Sequence, residues 1–200
     1  MLTRRELIGS GAAAAALSAG GPVFARPRSV PEVDPELMSR ALAALHAKRR
    51  ILKNVDLFAI ADFTRPSRDE RFYLVHTESG IVTRHLVAHG RGSDPAHSGY
   101  LDRFSNAPGS AASSAGAYVT GDFYQGKYGR SLRLKGLDHS NSNAEPRGIV
   151  VHAAPYAEPE MVDRIGKLGR SEGCFALSQL SLFLVLRQLG PGRLLYCDKL

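Results

Sequence analysis

Apolar residues recur along this chain first at helical spacing and then at strand spacing. The stretch "DPELMSRALAALHAKRR" puts Leu37, Ala41, Leu42, Leu45 and His46 on one helical face. Asp34 suits an N-cap, Pro35 the first helical position, and Lys48 to Arg50 the negative end of the helix. Strand patterns follow. "DLFAIADF" (56–63) reads as a buried strand and "RPSRDE" as a turn. "RFYLVHT" (71–77) alternates and leads through "ESG" into "IVTRHLVAHG" (81–90), which predicts a hairpin. "AYVTGDFY", "RSLRLKGL" and "RGIVVHAA" each predict a strand. "EPEMVDRIGKLG" predicts a short helix after Pro159. "LSQLSLFLVLRQLG" is apolar on most faces and predicts a buried helix stopped by Gly190-Pro191, before a final strand "RLLYCD". Residues 91–116 are rich in Gly, Ser, Asn and Pro, and a loop of that length is often functional. About six or seven strands with few helices predict a mainly β sandwich or barrel with helical additions.

The N-terminal composition changes the picture. In "MLTRRELIGSGAAAAALSAGGPVFARP", the pair Arg4-Arg5 precedes a weakly apolar run of small residues and a cleavage-like "VFA". This resembles a twin-arginine export signal over residues 1–25. The expected destination is the periplasm or cell envelope. Residues 26–55 then hold a Pro-rich linker and the first helix, and 56–200 a single domain with room for a substantial core. No later apolar run approaches the ~18 residues a membrane span needs, so no stable insertion is expected after cleavage. The chain is +7, and +6 (24 basic, 18 acidic) without the leader. That charge is dispersed, apart from Lys48, Arg49 and Arg50, and no nucleic-acid motif accompanies it. An anionic wall or membrane surface is the better partner.

Two cysteines, Cys174 and Cys197, remain to be explained. In an exported protein they form a disulfide by default. Context separates them. Cys197 alternates within "LLYCD" as a small core residue. Cys174 follows Gly173 in the polar turn "GRSEGCFAL", just before an apolar run. There it can be a nucleophile, with Gly173 allowing close approach of substrate and the N–H groups of Gly173 and Cys174 as oxyanion donors. A helix starting near Ala176 or Ser178 would lower the thiol pKa. The base should be one of seven histidines. His46 lies on a helix face, His76 and His85 read as cross-strand neighbours, and His97 and His139 sit in loops. His89 and His152 both end apolar strands, and pattern alone leaves the choice between them open, with His152 only slightly favoured by its 22-residue spacing from Cys174. No metal motif, phosphate-binding loop or Gly-x-Ser-x-Gly elbow is present in the sequence.

At these residues the chain resembles a known family. "IVVHAAPYA … LGRSEGCFAL" is similar to the His…Ser-x-Gly-Cys signature of L,D-transpeptidase catalytic domains, in particular the murein L,D-transpeptidase catalytic domain-like branch. "LVAHGRGS" and "FSNAPGSAASSAGAYVTGDFYQGKYGRSLRLKGLDHSNSNAEPRGIVVHAA" extend the match over roughly residues 56 to 198. The resemblance implies a β-sandwich-like domain, Cys174 as nucleophile, His152 as base, and Ser171 and Gly173 at the remaining motif positions. It implies acyl transfer from a peptidoglycan stem peptide through a thioester, with no metal or organic cofactor. Relatives usually carry Gly after the histidine, where this chain has Ala153, whose carbonyl can still orient the imidazole. They often carry Trp-Gly-Cys-Pro, where this chain has Glu172 and Phe175 about the Gly-Cys pair. Arg147, Arg133 and Arg130 are candidates to bind an acidic stem, because guanidinium pairs with carboxylate in fork geometry. The alternatives are an L,D-carboxypeptidase using water as acceptor, a wall-binding domain without catalysis, and a Cys174–Cys197 disulfide.

Overall fold

The computed structural model describes residues 33–200; the proposed leader and most of the linker lie outside them. The first helix, α1 (Pro35–Ala47), begins where expected. The Asp34 carboxylate accepts from the N–H groups of Glu36 (2.8 Å) and Leu37 (3.4 Å). Leu37 and Ala41 are buried, whereas Leu42, expected on the same face, is 46% exposed.

Eight strands form one mixed sheet: β1 (Leu57–Asp62), β2 (Glu70–His76), β3 (Val82–Leu86), β4 (Gly116–Gly126), β5 (Gly129–Gly136), β6 (Val150–Ala153), β7 (Phe175–Leu177) and β8 (Leu194–Asp198). Their order is β3-β2-β1-β8-β4-β5-β6-β7. The mainly β expectation therefore holds, with helices α2 (Pro159–Ile165) and α3 (Gln179–Leu189) added. The final strand of the chain does not lie at an edge. β8 sits mid-sheet, parallel to β1 and antiparallel to β4.

β1 is apolar at almost every position because both faces of the sheet are covered. Leu57, Ala59 and Ala61 face a core that includes Phe72, Leu74, Leu195 and α3 residues Leu182, Val185 and Leu189. Phe58 and Ile60 face a second core with Tyr73, Val75 and α1 residues Leu37 and Ala41. α3 is buried on one stripe only. Leu180 (69% exposed), Phe183 (56%) and Leu184 (40%) face outward, which corrects the fully buried helix expected from its composition. His76 and His85 are not paired either: His76 is opposite Leu57, and His85 opposite Phe72.

The run 81–90 divides. β3 pairs with β2 up to Leu86, and the chain then leaves that ladder. Ala88 bridges Ala176 in β7, and Gly90 bridges Ser171. The two ends of the sheet are joined through this segment, so the form is barrel-like.

Behind the join lies a buried charged cluster. Arg71, fully buried, donates through Nε and Nη2 to Val87 O, through Nη1 to Arg65 O, and through Nη2 to His89 Nδ1 at 2.7 Å. His89 Nε2 faces Asp94 Oδ2 at 3.4 Å. Burial, then the Arg71 charge, pushes His89 down to about 3; Asp94 opposes this, and Arg170 adds to it.

This cluster sets an acid limit. The unfolded chain takes up a proton on His89 near the ordinary value of 6.5, and the folded chain only near 3. Between those values the unfolded state binds more protons, so stability falls as pH drops. Asp94, where the N–H groups of Gly99 and Ser98 outweigh burial, and Asp56, bonded to Arg193, act in the same direction at lower pH. Asp62, raised by burial, opposes them. The expected result is a melting temperature that declines from about pH 6.5 towards pH 3, with a shallower decline in His89→Asn, measured by circular dichroism.

Candidate active site

The candidate loop starts where α2 stops at Gly166 in the left-handed region (φ 74°). Leu168 and Gly169 are buried, and Gly169 lies so close to Tyr156 that a Cβ there would stand 2.5 Å from the Tyr156 Cβ. The loop is then tied to the sheet-closing segment. Ser171 N–H donates to His89 O (2.9 Å), and Arg91 N–H donates to Ser171 O (2.7 Å).

Ser171 also closes the turn on itself. Its hydroxyl donates to Cys174 O (2.7 Å) and accepts from Gly173 N–H (3.1 Å). The Gly173 N–H expected to serve as an oxyanion donor is thereby engaged. Glycine is needed there for other reasons: φ is 118°, and a Cβ would sit 2.6 Å from Ala112 O and 2.9 Å from the Ile149 Cδ1.

Cys174 is half-buried and follows this turn directly. No helix begins at Ala176; the three residues of β7 intervene, and α3 starts at Gln179 with Ser178 as its cap. The thiol donates to Gly148 O at 3.6 Å. Burial pushes the thiol up, while the Val150 N–H and the Arg147 charge pull it down and Glu172 adds to the rise. The net effect favours the protonated thiol. Glu172 itself is exposed and held in a two-pronged ion pair by Arg91 (2.8 and 3.0 Å), which offsets its charge.

β6 carries His152 next door. β6 and β7 run parallel with Val151 level with Phe175 and His152 level with Ala176. His152 Nδ1 lies 2.7 Å from Ala153 O. A carbonyl only accepts, so Nδ1 carries the hydrogen and Nε2 is left as an acceptor. Burial lowers the pKa of this ring and keeps it neutral, although the Ala153 carbonyl works against it. Tyr128 stacks on the imidazole at 6.0 Å. Ala153 thus supplies through its backbone what was expected of the residue after the histidine.

His89, the other candidate base, is 1% exposed with both ring nitrogens occupied by Arg71 and Asp94. Both cysteines are free thiols, with Cys197 buried in β8, so the disulfide alternative is corrected. Among the described residues no group of three or more His, Cys, Asp or Glu side chains is placed to hold a metal.

The three arginines are not brought together. Arg147 lies beside the turn that carries Cys174, its Nη2 3.1 Å from where a Gly173 Cβ would be. It donates to Ser105 O, Ala112 O and Ser114 Oγ, clamping the 91–116 loop rather than standing free for a carboxylate. Arg133 stacks over Tyr124 at 4.4 Å and lines a cleft with Asp122, Lys135, Glu145 and Gly148. Arg130 stacks over Phe123 at 3.9 Å, in a groove against Leu182 and Phe183 of α3. Two tyrosines escaped sequence reasoning: Tyr128, in the tight turn "GKYG", and Tyr156, whose hydroxyl is pushed up by burial and by the nearby Cys174. Neither sits in a pattern that marks a site.

The model of the family described as the L,D-transpeptidase catalytic domain matches residues 29–197. The chain belongs to this family. Solved structures similar to this L,D-transpeptidase domain include an L,D-transpeptidase from Mycobacterium smegmatis, at 13% identity and TM-score 0.44, covering 72% of this chain and 58% of that one. Another is L,D-transpeptidase 3 from Mycobacterium tuberculosis in complex with a faropenem-derived adduct, at 12% and 0.45, covering 72% and 60%. A third is the L,D-transpeptidase (residues 123–326) from Xylanimonas cellulosilytica, at 15% and 0.43, covering 78% and 68%. The domain thus spans under two thirds of the first two. No curated protein matches it.

Two substitutions check this geometry. Gly173→Ala should destabilise the L,D-transpeptidase domain by more than about 2 kcal/mol, against about 1 kcal/mol for Gly148→Ala, whose positive φ faces open space; urea unfolding measures both. In Arg147→Gln the thiol should ionise at higher pH, because a stabilising charge is lost. The pH dependence of iodoacetamide alkylation reads that shift.

Proposed function

We propose that this domain transfers the acyl group of a peptidoglycan stem peptide through a thioester on Cys174, with His152 as the base. The observation that supports this most is the His152 Nδ1–Ala153 O bond, which leaves Nε2 free to accept a proton on the strand beside the thiol. His152 takes the Cys174 proton, and the thiolate attacks the carbonyl carbon that precedes a D-residue. The Cys174 N–H donates to the oxyanion, worth about 3 kcal/mol for a well-placed donor. Collapse of the intermediate breaks the C–N bond, and His152 returns its proton to the leaving amine. An acceptor amine then attacks the thioester, loses its proton to His152, and regenerates the thiol.

Ser171 and Gly173 act here by shaping the turn. Arg133 is the arginine best suited to an acidic stem, because its cleft continues along Gly148, Ile149 and Val150 beside the thiol. Residues 1–25 direct export to the periplasm or envelope, where this substrate resides. The scheme uses no metal or organic cofactor.

The test has two arms. Incubation with a carbapenem should add one acyl group by intact mass, and Cys174→Ala, still folded, should add none. His152→Gln should acylate about 100-fold or more slowly. Incubation with tetrapeptide stems should yield cross-linked dimers. Tripeptides without dimers would assign water as the acceptor, and absence of any wild-type adduct would overturn the nucleophile.

A further inference from the structure

His89 stands between two backbone bridges that hold the catalytic turn from either side. Ala88 N–H donates to Ala176 O (2.8 Å), two residues after Cys174. Ser171 N–H donates to His89 O (2.9 Å), three residues before Cys174. The contact is backbone on backbone: a Cβ on Gly90 would lie 2.7 Å from the Gly173 Cα. Ser113 completes the seam, accepting from Gly90 N–H (3.0 Å) and donating to Gly173 O (3.2 Å). The place of the turn therefore depends on what fixes residues 88–91.

Only the side chain of His89 anchors that segment inward from between the bridges. Its ring meets Arg71 from β2 at Nδ1 and Asp94 from the following loop at Nε2. Arginine only donates, so Nδ1 accepts and Nε2–H donates to Asp94; one neutral tautomer satisfies both. Each partner is itself held: Arg71 by Val87 O and Arg65 O, Asp94 by Ser98 and Gly99 N–H. Phe63 packs edge-on against the His89 ring (5.8 Å) and stacks on Phe175 (6.1 Å), the residue after Cys174. An apolar side chain could fill this space, but it would not select one position; a satisfied buried polar relay does.

We infer that His89 is a positioning residue for the thiol, holding residues 88–91 between Arg71 and Asp94 so that both flanks of Cys174 stay in register. The inference rests on the reading of Cys174 as nucleophile for its kinetic consequence, but not for its structural one.

The experiment pairs carbapenem acylation with amide hydrogen exchange in the full domain. In His89→Leu the maximal acylation rate should fall about 30- to 100-fold, with half-saturation changed by less than about 3-fold, and the Ser171 and Arg91 amides should exchange at least about 10-fold faster. His89→Asn, which keeps an acceptor for Arg71, should recover at least about a third of the lost rate on a logarithmic scale. Iodoacetamide should alkylate both variants within about 3-fold of wild type, because the thiol's own surroundings persist. Wild-type acylation rates with wild-type exchange in His89→Leu would overturn the inference. So would lost acylation with unchanged Ser171 exchange, which would mean that His89 acts on the reaction directly. If His89→Leu does not fold, the same criteria apply to His89→Asn. Failure of wild type to acylate would sink the nucleophile reading, and the exchange data would still decide the role of His89.

Discussion

Two backbone bridges, Ala88 to Ala176 and Gly90 to Ser171, carry the architecture of the site. Without them the sheet has two open edges, β3 and β7, and the turn bearing Cys174 hangs from three residues of edge strand. With them the same turn is braced on both sides by rigid backbone. Everything chemically interesting then follows from close approach. Gly90 and Gly173 are glycines because two main chains meet there, and the Ser171 and Ser113 hydroxyls bond to carbonyls and N–H groups in the gap.

The electrostatics are graded around that gap. Burial alone would leave the thiol inert, and the Glu172 charge adds to the difficulty. Three features work against this: the Val150 N–H, the locked guanidinium of Arg147, and Arg91, which pairs with Glu172 in solvent. A resting thiol with a neutral imidazole on the next strand suits transfer of a proton during attack better than a preformed thiolate.

Much of this was legible in the sequence. Period-two and period-3.6 patterns located α1, α3 and seven of the strands, because each face that packs on a core sets its periodicity locally. β7 was not legible: "FAL" is too short to show alternation and merges with the helix after it. The outward stripe of α3 was missed because composition does not say which side a neighbour covers. Cys174 stood out through its glycine neighbour and polar turn, whereas His152 shared its strand-end signal with His89 and was singled out by the family resemblance. The contacts of His89 and Arg147 were not legible, since Arg71 lies 18 residues from His89 and Ser105 and Ala112 lie 42 and 35 residues from Arg147, while Asp94, only five residues on, sits in a loop without periodicity. A buried ion network and a solvated charge look the same in one dimension.

The central place of β8 has a kinetic consequence. The strand order divides into β3-β2-β1 on one side and β4 to β7 on the other, and among the described strands β8 is the one whose ladders pair with both β1 and β4. Within each half the paired strands are neighbours in sequence, antiparallel except for β6 and β7, but the union of the halves waits for the last strand to reach back to the first across nearly the whole domain. Joining contacts so distant in sequence is slow, because the entropy of closing the intervening chain is lost before any packing compensates it. Until that insertion, two apolar half-sheets expose the edges that β8 will fill, and that interval is when the chain is most prone to pair with a copy of itself.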